Sequence, residues 1–224
     1  KMVYGQFEPW HILDLIKTNV EEGFYDSLLL EKYTEQEWDE LNSHLKHERD
    51  ERMTYAAMEQ WRGKYLVQNR VTNIIKETPQ MAYMLISATL FAEYPRETRL
   101  QWVKDYYDAV SLFYISLPTP VMAGVRTPQR QFSSCVLIET DDSLDSINAT
   151  TSSIVKYVSA KAGIGIGAGN IRALGSPIRR GDAYHTGVVP FYKMFQSATR
   201  SCSQGGVRNG AATLYYPIWH YEVE

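Results

Sequence analysis

The spacing of apolar residues changes character part-way along the chain. In EPWHILDLIKTNVEEG, residues 8–23, Ile12, Leu13, Ile16 and Val20 recur on one helical face, and Gly23 is a natural helix end. Thr34 opens TEQE, with Glu37 three residues on, so the spacing predicts a capping box. Trp38, Leu41 and Leu45 follow at helical intervals. PQMAYMLISATLFAEYP, residues 79–95, is apolar nearly all round and predicts a buried helix. TRLQWVKDYYDAVSLFYI predicts another, with Val103, Tyr106, Val110 and Phe113 inward. KYLVQNRVTNII, residues 64–75, has no clear period and reads as a short hairpin. This first half is expected to be helical scaffold, its aromatics core.

The second half alternates strands with helices. Phe132–Glu139 is a short apolar run suited to a strand buried on both faces. Asp142 or Ser143 then caps a helix running to about Ala160, with Ile147, Ile154 and Val158 facing inward. GIGIGAGNI follows as a glycine-rich strand, and GAATLYYPIW reads as another. Strand, helix and strand in succession predict a right-handed parallel crossover. Sites in such sheets gather at the carboxyl ends of strands. Eleven of the fourteen glycines lie after Pro118, so the division is expected there: a helical region over 1–117 and an α/β region over 118–224.

Composition narrows the function classes. A net charge of -3 over 224 residues gives no global pull towards nucleic acid or an anionic membrane. No apolar run approaches the roughly 18 residues of a membrane-spanning helix, and KMVYGQFEPW has no signal-peptide core. Two cysteines, Cys135 and Cys202, are too few for a disulfide scaffold or a four-cysteine zinc site. A reducing, cytoplasmic setting is the expectation, with no metal held by this chain.

The candidate chemistry is spread over several segments. Cys135, at the start of a strand in FSSCVLIE, is either a small core residue or a working thiol. GIGIGA loosely fits a dinucleotide fingerprint, but a helix precedes it and the glycines read as extended. Closely spaced strand glycines instead signal close approach of a ligand or another backbone. His44 and His47 have a spacing that suits a metal, yet they fall on a charged face expected to be solvated. RSCSQGGVRNGAAT is a glycine-hinged loop with Gln204 and Arg208 at its tip. NIRALGSPIRRGDAYH sets Arg172, Arg179 and Arg180 on a loop, where guanidinium groups suit phosphate oxygens. Together these features predict an anionic small molecule, a nucleotide above all.

The segments YGQFEP, GKYLVQNRVT, YPRETRLQ, ISLPTPVMAGVRTP, RQFSSCVLIE, DSLDSINAT, IRALGSPIR, FYKMFQ and SCSQGGVRNGAAT, taken in order, resemble the large subunit of class I aerobic ribonucleotide reductase, of the bacterial and phage type. The resemblance implies the first part of a ten-stranded α/β barrel behind an N-terminal helical region. It implies that Cys135 is one of two substrate-reducing thiols, buried in its site, and that Thr119, Ser134 and Gly163 hold the substrate's diphosphate and ribose. Asp142, Ser143, Leu144, Arg172 and Arg179 match the site for the deoxynucleoside triphosphate or ATP effector, with magnesium as its companion. The helix from Ser143 is implied to lie at a homodimer interface, Gln204 and Arg208 to relay effector identity to the substrate, and Cys202 to be a loop residue. Asn209 departs from the family, whose close bacterial members usually have glycine there. The implied partners are the remainder of the large subunit, a small subunit with a di-iron centre and tyrosyl radical, and thioredoxin or glutaredoxin. The segments bearing the radical cysteine, the second reducing cysteine and the radical-path tyrosines are missing, so the stretch is expected to catalyse nothing alone. It is then either a window on a longer polypeptide or one part of a divided subunit. The alternative is a regulatory module that binds nucleotide but has lost catalysis.

Overall fold

A computed structural model of the chain describes residues 10–202 and 210–224. It divides into two compact units, Lys1–Phe132 and Ser133–Glu224. The division falls after Phe132 rather than at the expected Pro118, because the segment beyond Pro118 is tied into the helical unit. Its Arg126 is inaccessible to solvent and ion-paired with the equally inaccessible Glu77.

The first unit contains α1 (Ile12–Glu21), α2 (Leu28–Lys32), α3 (Glu35–His44), α4 (Tyr55–Gln60), β1 (Gln68–Asn69), β2 (Ile74–Ile75), α5 (Pro79–Leu90), α6 (Arg96–Ser111) and α7 (Thr119–Gly124). Local chemistry sets most of these ends. Thr34 and Glu37 form the capping box expected at the start of α3. Gly23, just past α1, takes a left-handed φ of +76°. β1 and β2 pair antiparallel as the short hairpin. Helix α5 is buried from Pro79 to Ala88, so it forms the centre of the unit. Trp38, Tyr25 and Tyr107 join that core.

Three expectations are corrected here. On α1 the buried face runs through Leu15 and Asn19, leaving Val20 at its margin. Helix α6 stops at Ser111, so Phe113 lies past its end with φ 66° and is 53% exposed, while Tyr107 is the aromatic that turns inward. His44 and His47 are not on a solvated face: His44 Nε2 lies 3.0 Å from Asp108 Oδ2, and His47 is half-buried beside Thr78. Among the described residues no group of three or more His, Cys, Asp or Glu gathers that suits a metal ion.

The second unit is built on a three-stranded parallel sheet in the order β3 (Cys135–Glu139), β4 (Gly163–Gly167), β7 (Ala212–Tyr215). Helix α8 (Leu144–Ser159) makes the crossover between β3 and β4, and it turns Ile147, Ile154 and Val158 inward as expected. Helix α9 (Val189–Ser201) packs beside α8 and contributes Phe195 and Ala198 to the same core. Between β4 and α9 the chain makes a small excursion whose strands, β5 (Pro177–Ile178) and β6 (Ala183–Tyr184), pair antiparallel.

The helices cover one face of the sheet only. Leu137 is 77% exposed and Tyr215 58%, so the run Phe132–Glu139 is not buried on both faces. β3 is an edge strand whose side chains alternate between a helix-covered face and an open one. The glycines of β4 lie on the open face: a Cβ on Gly165 would stand 2.5 Å from Leu137 Cδ2. The GIGIG run is therefore a strand over which its neighbours' side chains lean, not a phosphate-binding turn.

Candidate functional site

The expected site residues of the second unit fall into two groups, at opposite ends of its parallel sheet. At the amino end, Cys135 opens β3 and is paired in register with Gly163, which opens β4. The Gly163 N–H donates to the Ser134 carbonyl at 2.8 Å. A Cβ on Gly163 would stand 3.7 Å from Cys135 Sγ, so the sulfur lies over the glycine on the open face. Both cysteines are free thiols, and Cys135 and Ser134 are exposed. The expected burial of the thiol is thus corrected for this stretch, because no element of the unit covers that face. Cys202 lies just past α9, with its sulfur 3.7 Å from Ser201 Oγ.

Thr119 belongs to the first unit, where it begins the short helix α7 and is half-buried. The helix is held from behind by Arg126. Its guanidinium donates to the Met122 carbonyl at 2.6 Å, to the Tyr65 carbonyl at 2.9 Å and to Glu77 Oε2 at 2.8 Å. Burial opposes the charge on Arg126, but the Glu77 carboxylate outweighs it and holds the guanidinium pKa above its ordinary value. Tyr25 donates to the same carboxylate at 2.5 Å, and burial and then Glu77 push its hydroxyl pKa well up. No composition rule signals this network; Glu77 and Arg126 read in sequence as two ordinary charges.

The second group sits at the carboxyl end of β3 and β4, where the chemistry of parallel sheets concentrates. Asp142 accepts from Arg172 twice, at Oδ2 from Nε (2.6 Å) and at Oδ1 from the backbone N–H (3.0 Å). Arg172 Nη1 donates to the Pro177 carbonyl at 3.0 Å, so one guanidinium spans the loop. Ser143, not Asp142, caps α8: its hydroxyl accepts from the Ser146 N–H at 3.1 Å. Leu144 follows in the first turn and is 68% exposed. Arg179 and Arg180 are both exposed, on consecutive left-handed residues with φ 50° and 60°. Neither makes an ion pair among the described residues, so both cations face water. The arrangement offers a helix N-terminus, an arginine locked to an aspartate and two free guanidinium groups, which suits a polyanionic ligand. Gln204, Arg208 and Asn209 lie outside the described residues.

Similarity to known proteins decides the family. Residues 51–130 match the all-alpha domain of ribonucleotide reductase and residues 133–224 match its barrel domain. The chain belongs to the ribonucleotide reductase large-subunit family. The boundary between the two matched domains coincides with the division of the fold after Phe132. The chain is 66% identical over all of its 224 residues to ribonucleoside-diphosphate reductase 1 subunit alpha of Escherichia coli K12, of which it covers 29%. It is 64% identical to subunit alpha of Haemophilus influenzae and 56% identical to that of bacteriophage T4, again over its whole length and 30% of theirs. The chain therefore spans less than a third of the length of the curated relatives it matches.

Sequence reasoning missed two residues that support the loop bearing Arg172 and Arg179, namely His220 and Glu222. The Glu222 carboxylate accepts from the Leu174 N–H at 2.7 Å and from the Val188 N–H at 3.2 Å. His220 Nε2 lies 2.8 Å from the Ile171 carbonyl, and its Nδ1 lies 2.5 Å from the Tyr216 hydroxyl and 3.2 Å from the Glu222 N–H. Nothing in YYPIWHYEVE singled them out, since the backbone groups they bind at Ile171, Leu174 and Val188 are remote in sequence.

Proposed function

We propose that this stretch supplies one substrate-reducing thiol and the effector site of a ribonucleoside-diphosphate reductase large subunit. Cys135 is the thiol. Loss of the 2′-hydroxyl as water takes two electrons and two protons, which two thiols provide as they close to a disulfide. Thioredoxin or glutaredoxin then resets the pair by thiol exchange. The observation that supports Cys135 is its place: an exposed thiol beside Gly163, on the sheet face no helix of its unit covers. The rest of the large subunit closes over that face, completes the pocket with the second thiol and the radical cysteine, and excludes water from the reaction. Thr119, Ser134 and Gly163 hold the substrate's diphosphate and ribose, with α7 kept in place by Arg126.

Asp142, Ser143, Leu144, Arg172 and Arg179 bind a deoxynucleoside triphosphate or ATP, the arginines at its phosphates. Magnesium accompanies the triphosphate as its companion ion. The di-iron centre and tyrosyl radical belong to the separate small subunit, and the α8 end of the large subunit meets a second copy of itself.

The test is Cys135→Ser in the full-length protein. Deoxynucleotide formation is expected to fall to background while effector affinity stays unchanged. Normal turnover by the variant would remove Cys135 from the reaction, whereas effector binding with no turnover by the unmutated protein would favour a regulatory module.

A further inference from the structure

The excursion from Ile171 to Val188 carries Arg172 and Arg179; its ends, Ile171 and Val188, are buried in the core, but its outer part packs little. Leu174 and Tyr184 are 66% and 69% exposed. Besides the bonds of Arg172 to Asp142 and Pro177, the turn that follows β7 ties it down. One carboxylate, Glu222, gathers the Leu174 N–H near the start of the excursion and the Val188 N–H at its end. His220 adds a third tie. Its Nδ1 accepts from the Tyr216 hydroxyl and the Glu222 N–H, which leaves Nε2–H to donate to the Ile171 carbonyl. Gly187 makes room for this strap: its φ is +89°, and a Cβ there would stand 2.6 Å from Glu222 Oε1.

We propose that Glu222, oriented by His220, is a positioning residue for effector binding: by gathering both ends of the Ile171–Val188 excursion it holds Arg172 and Arg179 ready for a nucleotide triphosphate. The inference rests on the effector reading of Asp142, Arg172 and Arg179. Charge-assisted hydrogen bonds to two backbone N–H groups are strong enough to set a loop's shape, and a preordered loop binds without first being ordered.

The experiment measures the affinity of the full-length protein for each deoxynucleoside triphosphate in turn by equilibrium binding, alongside its effector-free reduction rate and thermal midpoint. Glu222→Ala is expected to weaken effector binding about tenfold or more while the effector-free rate holds. Glu222→Gln, whose amide oxygen still accepts both N–H groups, is expected to restore most of the affinity. A merely structural role would lower the thermal midpoint and leave the affinity of the folded fraction unchanged. Arg172→Ala separates the two levels of the argument. Loss of binding in Arg172→Ala with binding within twofold of wild type in Glu222→Ala overturns the strap alone. Unchanged binding in both overturns the effector reading and the strap with it. If Glu222→Ala does not fold, Glu222→Asp, one methylene too short to reach both N–H groups, is read in the same way.

Discussion

Asp50 shows how far a single side chain departs from its sequence-level reading. It stands in HERDER, a string of charges that looks solvated, yet it is half-buried and accepts from Gln80 Nε2 at 2.8 Å. Burial pushes its carboxyl up to about 6 from an ordinary 3.8, with the Gln80 bond pulling the other way. Between those values the folded protein keeps a proton that the unfolded chain has lost, so the group's contribution to stability falls as pH rises through the window. Glu37 and Asp108 have the opposite sign. Burial raises each, but hydrogen bonds and the cations Arg99 and Arg49 leave both below the ordinary carboxylate range, so their contribution is lost only as pH falls through it. Asp50→Asn keeps the acceptor and removes the charge. The variant is expected to be more stable than the parent at pH 7, with the advantage vanishing towards pH 4. Denaturant midpoints at the two values check this, and an equal advantage at both would contradict it.

At the scale of the element, the periodic patterns were legible wherever local chemistry agreed with packing. The Thr34 capping box formed as read because it rests on contacts within a few residues, and the buried helix α5 and the inward stripe of α8 did so because their apolar patterns agree with the packing they meet. Phe113 was misread because the apolar period ran past the real helix end into a left-handed turn. The glycines of β4 were legible as close-approach positions, whereas Gly210, before β7, was read as part of a glycine-hinged loop and proves tightly packed. A Cβ on Gly210 would run into the backbone carbonyl of Thr199 and Val158 Cγ1, neither of which swings away. Gly210→Ala is expected to cost on the order of 1–3 kcal/mol. Gly163 has room, with ordinary contacts at 3.7 Å. Gly163→Ala should therefore leave the unfolding midpoint nearly unchanged while raising KM for ribonucleotide in the full-length protein. Thermal melts and steady-state kinetics on the two variants test both; a Gly163→Ala protein with ordinary KM would mean the glycine does not serve substrate approach.

Each unit of the molecule taken whole shows what periodicity leaves out. The first has a continuous core around α5. The second buries one face of its sheet and leaves Leu137, Tyr215, Ile218, Trp219 and Tyr221 exposed, the last at 96%. Large apolar side chains left in water in this number mark an interface. The 224-residue stretch by itself is expected to bind a hydrophobic dye strongly, and the full-length protein much less. Equal dye fluorescence per mole would show that the remainder of the large subunit does not cover this face.

The order of helices and strands, the caps, the fragmentary α/β architecture and the likeness to ribonucleotide reductase were all determined by the sequence itself, because each depends on neighbours in the chain or on long matching segments. The tertiary structure alone decided which residues work together. Asp142 meets Arg172, Arg126 meets Glu77 and Glu222 meets the ends of a distant loop through hydrogen bonds whose partners are tens of residues apart. A hydrogen bond between remote groups leaves no period in the sequence. Only the folded chain, which brings those groups within about 3 Å of each other, makes it visible.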